Sequence, residues 1–185
     1  MKNYAGQAAV LIALCDSPDR HSGDHLLLTL RARHLNLHSG EVAFPGGKWE
    51  EGDIDLQATA LRESYEEVGL RQESLEVIDQ LPVAYTRKGM CVTPFAARVT
   101  EYHPLEANSD ELDDLFWVPV EHFIEDRRVK TDVFRIQQRT YWAPVYEYGG
   151  YTIWGFTARV LVEFVNRHYN AGVTRQHTSP EVLWA

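Results

Sequence analysis

The sequence predicts an α+β fold, an α/β/α sandwich in which helices flank a mixed β-sheet, and three observations carry that prediction. Apolar runs of strand length recur along most of the chain. Two stretches show clear helical periodicity. Clusters of Gly, Pro, Asp and Ser separate these segments, with no internal repeat and no low-complexity tract. At 185 residues the chain fits one domain, residues 1–185, long enough to bury a core without disulfides or structural metal.

In order along the chain, residues 7–15 and 26–31 read as strands of a hairpin, because the Ser, Pro, Gly and Asp residues between them favour a turn. Residues 41–44 form a short extended piece that ends in the loop Phe44-Pro45-Gly46-Gly47-Lys48. From 56 to 68, Leu61, Tyr65 and Val68 recur at helical spacing and mark a buried stripe, which Gly69 terminates. Residues 75–85, 91–99 and 115–118 read as strands, and 120–125 as a short helix after Pro119. A strand pair follows at 133–136 and 141–148. Gly149-Gly150 and Trp154-Gly155 then lead into a last helix that buries Val160, Leu161, Phe164 and Val165.

Composition narrows the function. Twenty-seven acidic against eighteen basic side chains give a net charge of −9, which repels nucleic-acid phosphates and argues against a general DNA or RNA binder. No apolar run reaches the ~20 residues of a transmembrane helix, so no membrane partner is expected. The apolar stretch from Ala8 to Cys15 imitates a signal peptide, but only Lys2 precedes it and Asp16-Ser17-Pro18 follows it, so a buried strand is the expectation. Cys15 and Cys91 lack CxxC partners and read as buried free thiols of a reducing compartment, which makes the cytoplasm the expected location.

The chemistry concentrates on one helix. Glu63, Glu66 and Glu67 stand at i, i+3 and i+4, where each like-charge pair costs a few tenths of a kcal/mol. They form either a solvated acidic face, partly neutralised by Arg62, or a cation site. Hard oxygen ligands of this kind suit Mg²⁺ or Mn²⁺ bridging to substrate phosphates. The glycine loop upstream favours the cation site, because Gly46 and Gly47 let backbone groups approach a metal or diphosphate.

These residues resemble the signature of the Nudix hydrolases, a Gly followed by an acid and then Arg-Glu-apolar-x-Glu-Glu-x-Gly-apolar. Here it reads Gly47, then Arg62-Glu63-Ser64-Tyr65-Glu66-Glu67-Val68-Gly69-Leu70. The stretch from Gly47 to Arg62 is one residue longer than usual, and Ser64 stands at an apolar position. The early acid of the signature falls on Asp53 or Asp55, either of which also suits a helix N-cap. Upstream, Leu27-Leu28-Thr29-Leu30-Arg31-Ala32 and His38-Ser39-Gly40-Glu41-Val42-Ala43-Phe44-Pro45-Gly46-Gly47 look like the added motif of the coenzyme A pyrophosphatase branch. That branch usually carries an arginine where this chain has Asn36.

The resemblance implies a Nudix-type mixed sheet flanked by helices and a metal-dependent diphosphatase. It would cleave coenzyme A or a derivative, a small nucleotide substrate, into adenosine 3′,5′-bisphosphate and 4′-phosphopantetheine. Glu63, Glu67 and Glu66 are the implied ligands, with the Gly47 carbonyl, and Arg62 orients the glutamates. Glu111 is implied as a further ligand or base, with Glu106 behind it. Arg31, Arg33, His38 and Lys48 are the candidates for contact with anionic substrate oxygens. For Arg33, a charged strand end is an equal alternative. His34 and His38 are spaced i, i+4 but lack the glutamate of a zinc pair. Trp117, Trp142 and Trp154 suit base stacking less well than sheet packing. Hydrolysis of another nucleoside diphosphate such as ADP-ribose, and a non-catalytic nucleotide sensor, are the alternative readings.

Overall fold

The computed structural model describes residues 4–16, 23–35, 39–136 and 139–184, and the chain divides into two compact units, Met1–Pro119 and Val120–Ala185. The first holds an eight-stranded sheet of β1 (Ala8–Asp16), β2 (Asp24–Arg31), β3 (Val42–Ala43), β4 (Gly46–Lys48), β5 (Leu75–Gln80), β6 (Ala84–Tyr85), β7 (Cys91–Val99) and β8 (Leu112–Pro119). Its spine runs β3-β2-β1-β7-β5, with β1 and β7 parallel and the other pairings antiparallel. The single helix of eight or more residues described in this unit, α1 (Leu56–Val68), covers one face. Leu56, Ala60, Leu61 and Val68 bury there against Ala9, Leu11 and Ala13 of β1 and Phe95 and Ala97 of β7. That alternation along each strand is the period-two pattern of a sheet packed on a helix.

The second unit contains α2 (Glu121–Ile124), β9 (Lys130–Ile136), β10 (Arg139–Tyr148), β11 (Tyr151–Ile153), α3 (Gly155–Tyr169) and β12 (Glu181–Trp184). Its sheet runs β11-β10-β9-β12, antiparallel except for the parallel β9–β12 pair. Helix α3 buries Val160, Leu161, Phe164 and Val165, as its periodicity requires. Arg128 fastens this unit: its guanidinium is wholly buried, forks onto Asp126, donates to Thr131 Oγ1 at 3.1 Å and the Thr174 carbonyl at 2.8 Å, and lies over the Trp142 ring.

The α+β class with mixed sheets is borne out, and four local readings need correction. The strands form two sheets, whereas the patterning suggested one. Tyr65 is exposed, because the buried stripe of α1 runs instead through Leu61, Ser64 and Val68. The Gly46-Gly47-Lys48 stretch is a strand, pairing Val10↔Gly46, Ala9↔Gly47 and Ala8↔Lys48. Residues 75–85 break into β5 and β6 around Leu81-Pro82, since proline has no N–H for a ladder.

Candidate functional site

The site grows from α1. Asp55 caps its N-terminus by accepting the Ala58 N–H at 2.8 Å, and Gly69, at φ 75°, ends it by donating to Tyr65 O at 2.9 Å. Helical phase then sorts the three glutamates, which do not share one environment. Glu67 falls on the core side with 2% exposure, Glu63 is half-buried, and Glu66 reaches solvent. Ser64 also falls on the buried side and satisfies itself by donating to the Ala60 carbonyl at 2.6 Å, which explains how a hydroxyl is tolerated at this apolar position.

Strand β4 closes over buried Glu67 and half-buried Glu63. The Gly46 N–H donates to Glu67 Oε2 at 3.0 Å, and Arg31 Nη1 lies 3.5 Å from Glu67 Oε1. Burial pushes the Glu67 carboxyl up to about 8, and the Glu111 and Glu63 charges push the same way against Gly46 and Arg31. Burial also raises Glu63, with Arg62 opposing it. A Cβ built on Gly47 would stand 2.4 Å from the Glu63 carboxyl carbon, so only glycine leaves room for that carboxylate.

Arg62 is the organiser. Nε and Nη2 fork onto Asp53 at 2.9 and 3.0 Å, Nη1 meets Glu66 at 3.0 Å and Glu63 at 3.2 Å, and Nη2 donates to the Lys48 carbonyl at 3.2 Å. Asp53 is buried and also accepts from Thr59 Oγ1 and the Glu50 N–H, and the Arg62 hydrogen bonds hold it below the usual carboxylate range. The two aspartates left open by the sequence therefore divide the work, Asp55 capping and Asp53 anchoring Arg62.

Glu111 approaches from another segment. Its backbone accepts from Ala32 N–H and donates to Asn108 O, while Asn108 N–H binds Glu67 O at 2.8 Å and ties this segment to α1. Its carboxylate acts electrostatically on both Glu63 and Glu67. Glu106 is exposed, and its backbone N–H binds Val68 O.

The substrate candidates scatter. Arg31 is turned to Glu67. Arg33 is exposed beside Asp113, His34 meets the Asp110 carbonyl at 3.0 Å, and the Lys48 side chain is exposed. His38 and Asn36 lie outside the described residues. Trp117 packs beside Tyr102, Trp142 lies under Arg128, and Trp154 is the N-cap residue of α3. Neither Cys15, which is buried, nor Cys91, which is half-buried, forms a disulfide. Sequence reasoning missed the Asp53–Arg62 fork and the Arg31–Glu67 bridge. Asp53 lies nine residues from Arg62, outside any helical spacing, and Arg31 is 36 residues from Glu67.

The donor set fits a divalent ion. Burial opposes the ionisation of Glu63 and Glu67, the charge of Glu111 bears on both and that of Glu66 on Glu63, and a hard cation relieves this conflict. Among the described residues no three acidic, histidine or cysteine side chains are yet drawn into one ligand set. Arg31, Arg62 and the Gly46 N–H hold the carboxylate oxygens instead.

Carboxylates crowded on a helix beneath a glycine strand are hard oxygen donors of the kind that takes a divalent cation, the class of site found here. The family comparison makes it particular: the NUDIX domain profile matches residues 6–138, and the chain belongs to that family. The uncharacterized Nudix hydrolase NudL of Salmonella paratyphi B is 39% identical over 159 residues, covering 85% of this chain and 80% of its own. Among solved structures, the C. elegans Ap4A hydrolase binary complex aligns with TM-score 0.53 at 20% identity, over 64% of this chain and 83% of that one. A MutT/nudix family protein from Enterococcus faecalis aligns with TM-score 0.54 at 17% identity, over 92% and 65%. The chain is thus a Nudix hydrolase, a pyrophosphatase acting on the anhydride of a nucleoside diphosphate derivative, in a family that generally needs divalent metal ions. Among the described residues no helix is long and apolar enough to cross a membrane.

Proposed function

We propose that this Nudix hydrolase, one domain over residues 1–185, cleaves coenzyme A or a derivative into adenosine 3′,5′-bisphosphate and 4′-phosphopantetheine in the cytoplasm. The observation that carries the catalytic part is the closure of β4 on two glutamates, where the Gly46 N–H donates to buried Glu67 and Gly47 leaves room for the half-buried Glu63 carboxylate. The coenzyme A part rests on the motif through residues 27–47.

Glu63 and Glu67 would hold Mg²⁺ or Mn²⁺, with Glu66 and the Gly47 carbonyl as further ligands. When bound, the ion neutralises the diphosphate and lowers the pKa of the attacking water. Glu111 accepts the proton of that water on its carboxylate. Arg62, anchored by Asp53, fixes the side chains of Glu63 and Glu66 and is a positioning residue. Arg31 steadies Glu67, which leaves Arg33, His38 and Lys48 to meet the substrate's anionic groups.

That use of Arg31, together with Asn36, favours a second reading in which the substrate lacks a 3′-phosphate, as ADP-ribose does. A metal-dependent hydrolysis panel of coenzyme A, acyl-coenzyme A, dephospho-coenzyme A, ADP-ribose and dinucleoside polyphosphates, with products identified by mass, separates the two. Coenzyme A is expected to exceed its dephospho form modestly in kcat/KM, and Asn36→Arg should widen the gap by roughly ten- to hundredfold, the value of one charge-assisted hydrogen bond. Equal values for both, unchanged in Asn36→Arg, would transfer the assignment to the second reading.

A further inference from the structure

We propose that two copies of this chain associate through β12, pairing that strand antiparallel with its own counterpart about a two-fold axis. Strand β12 is the last in the order β11-β10-β9-β12, so among the described residues its outer edge pairs with no strand. An open edge bearing apolar side chains is a template for another strand. Leu183 is 66% exposed and Trp184 49%. The register Trp184↔Phe134↔Tyr141 extends this edge into a row of three aromatic rings on one face, in which Phe134 and Trp184 stack at 15°.

Charge selects the occupant. Residues Val120–Ala185 hold eight basic and seven acidic side chains, a net of +1, whereas Met1–Pro119 hold ten and twenty, a net of −10, so the chain's negative charge lies in the first unit. Beside β12 the charges are paired off locally: Lys130 contacts Asp132 at 3.0 Å and lies over the Trp184 ring, and Arg175 forks onto Glu181 at 2.8 Å. With these pairs neutralised and a net of only +1 over the unit, this strip offers little field to attract a nucleic acid, a charged peptide or an anionic bilayer, and little net charge to repel an identical strip. A second copy is the partner that matches both its apolar edge and its neutrality.

The register follows from symmetry. A two-fold axis perpendicular to the sheet keeps each strand's faces aligned, so only residues of equal parity can oppose each other. Centring on Val182 would oppose Leu183 to Glu181, an apolar side chain to a charged one. Centring on Leu183 opposes Leu183 to its counterpart and Val182 to Trp184, and it uses the whole exposed apolar run.

Sedimentation of the full chain from about 1 to 100 μM should show the mass doubling as concentration rises. Leu183→Asp sets two carboxylates face to face and should weaken the dimer at least ~10-fold. A Leu183→Cys variant should cross-link between copies under mild oxidation where the wild-type chain does not, a readout that holds even if Leu183→Asp fails to fold. A monomer across the whole range overturns the proposal. So does a dimer that Leu183→Asp leaves intact and Leu183→Cys fails to cross-link.

Discussion

Each unit of the molecule sets arginine among oxygen acceptors, buried in one and half-buried in the other, with opposite accounting of charge. Around Arg128, one guanidinium meets one carboxylate, Asp126, and the remaining donors go to Thr131 and Thr174. Tyr146 completes the set through its hydroxyl to Asp126, and burial holds that phenol far above its ordinary range. Nε, Nη1 and Nη2 of Arg128 and the Tyr146 hydroxyl each have a partner, so the network works as a fastener. Around α1, Arg31 and Arg62 face Asp53, Glu63, Glu66, Glu67 and Glu111, two cations against five carboxylates. Such an excess in a half-buried place supports the proposed cation site there rather than a joint.

The largest test of this contrast is Glu67→Gln, which keeps the shape and deletes the charge. Hydrolysis should be nearly abolished, while stability moves the other way. Because the folded state holds Glu67 at about 8 against an ordinary 4.5, its stabilising contribution is full at low pH and is lost as pH rises through 8. Thermal melts in metal-free buffer should therefore show wild type losing stability between pH 5 and 8.5, by an amount on the order of a few kcal/mol, and the variant losing less. Parallel melting curves would remove Glu67 from its buried environment.

Arg128→Met should do the reverse. It strands Asp126 and should cost about 3–5 kcal/mol in denaturant unfolding, the usual penalty for breaking a buried pair, with kcat at low temperature retained in the folded fraction. A fully stable variant would mean that Asp126 is solvated by other means. Glu111→Gln sharpens the comparison within the first unit: kcat should fall by about 10²-fold or more if this carboxylate takes the proton, and Glu106→Gln should change little. Exchange of those two behaviours in steady-state kinetics would reassign the base. The smallest effect belongs to Asp55→Ala, about 1 kcal/mol of stability from a lost N-cap, with metal affinity by titration unchanged because Asp53 anchors Arg62.

What could be read in advance followed the range of the interaction. The bounds of α1, its Gly69 stop and the buried face of α3 come from contacts three or four residues apart, and the sequence displays them. The fastener at Arg128 was invisible, since it depends on Asp126 at φ 50° and on Thr174, 46 residues away. Gly46-Gly47-Lys48 looked like a loop because glycine has low strand propensity, and only pairing with β1 overrides that. The glutamates were legible as a group. Their division into buried Glu67 and exposed Glu66 depends on which side of α1 meets the sheet, and on the 36-residue reach to Arg31.

The β1–β4 ladder makes the site a detector of its own assembly. Side chains alternate along a strand, so sliding β4 by a single position would bring Lys48 opposite Ala9, where Gly47 now leaves space for Glu63. An ammonium and its four-carbon stem would then fill the space next to the carboxylate, and Gly46 would no longer present its N–H to Glu67. A chain folded almost correctly would therefore gain nothing of the activity. Proofreading of the fold is built into the ladder, because the pairing that completes the sheet is the same one that opens the room between Gly47 and Glu63.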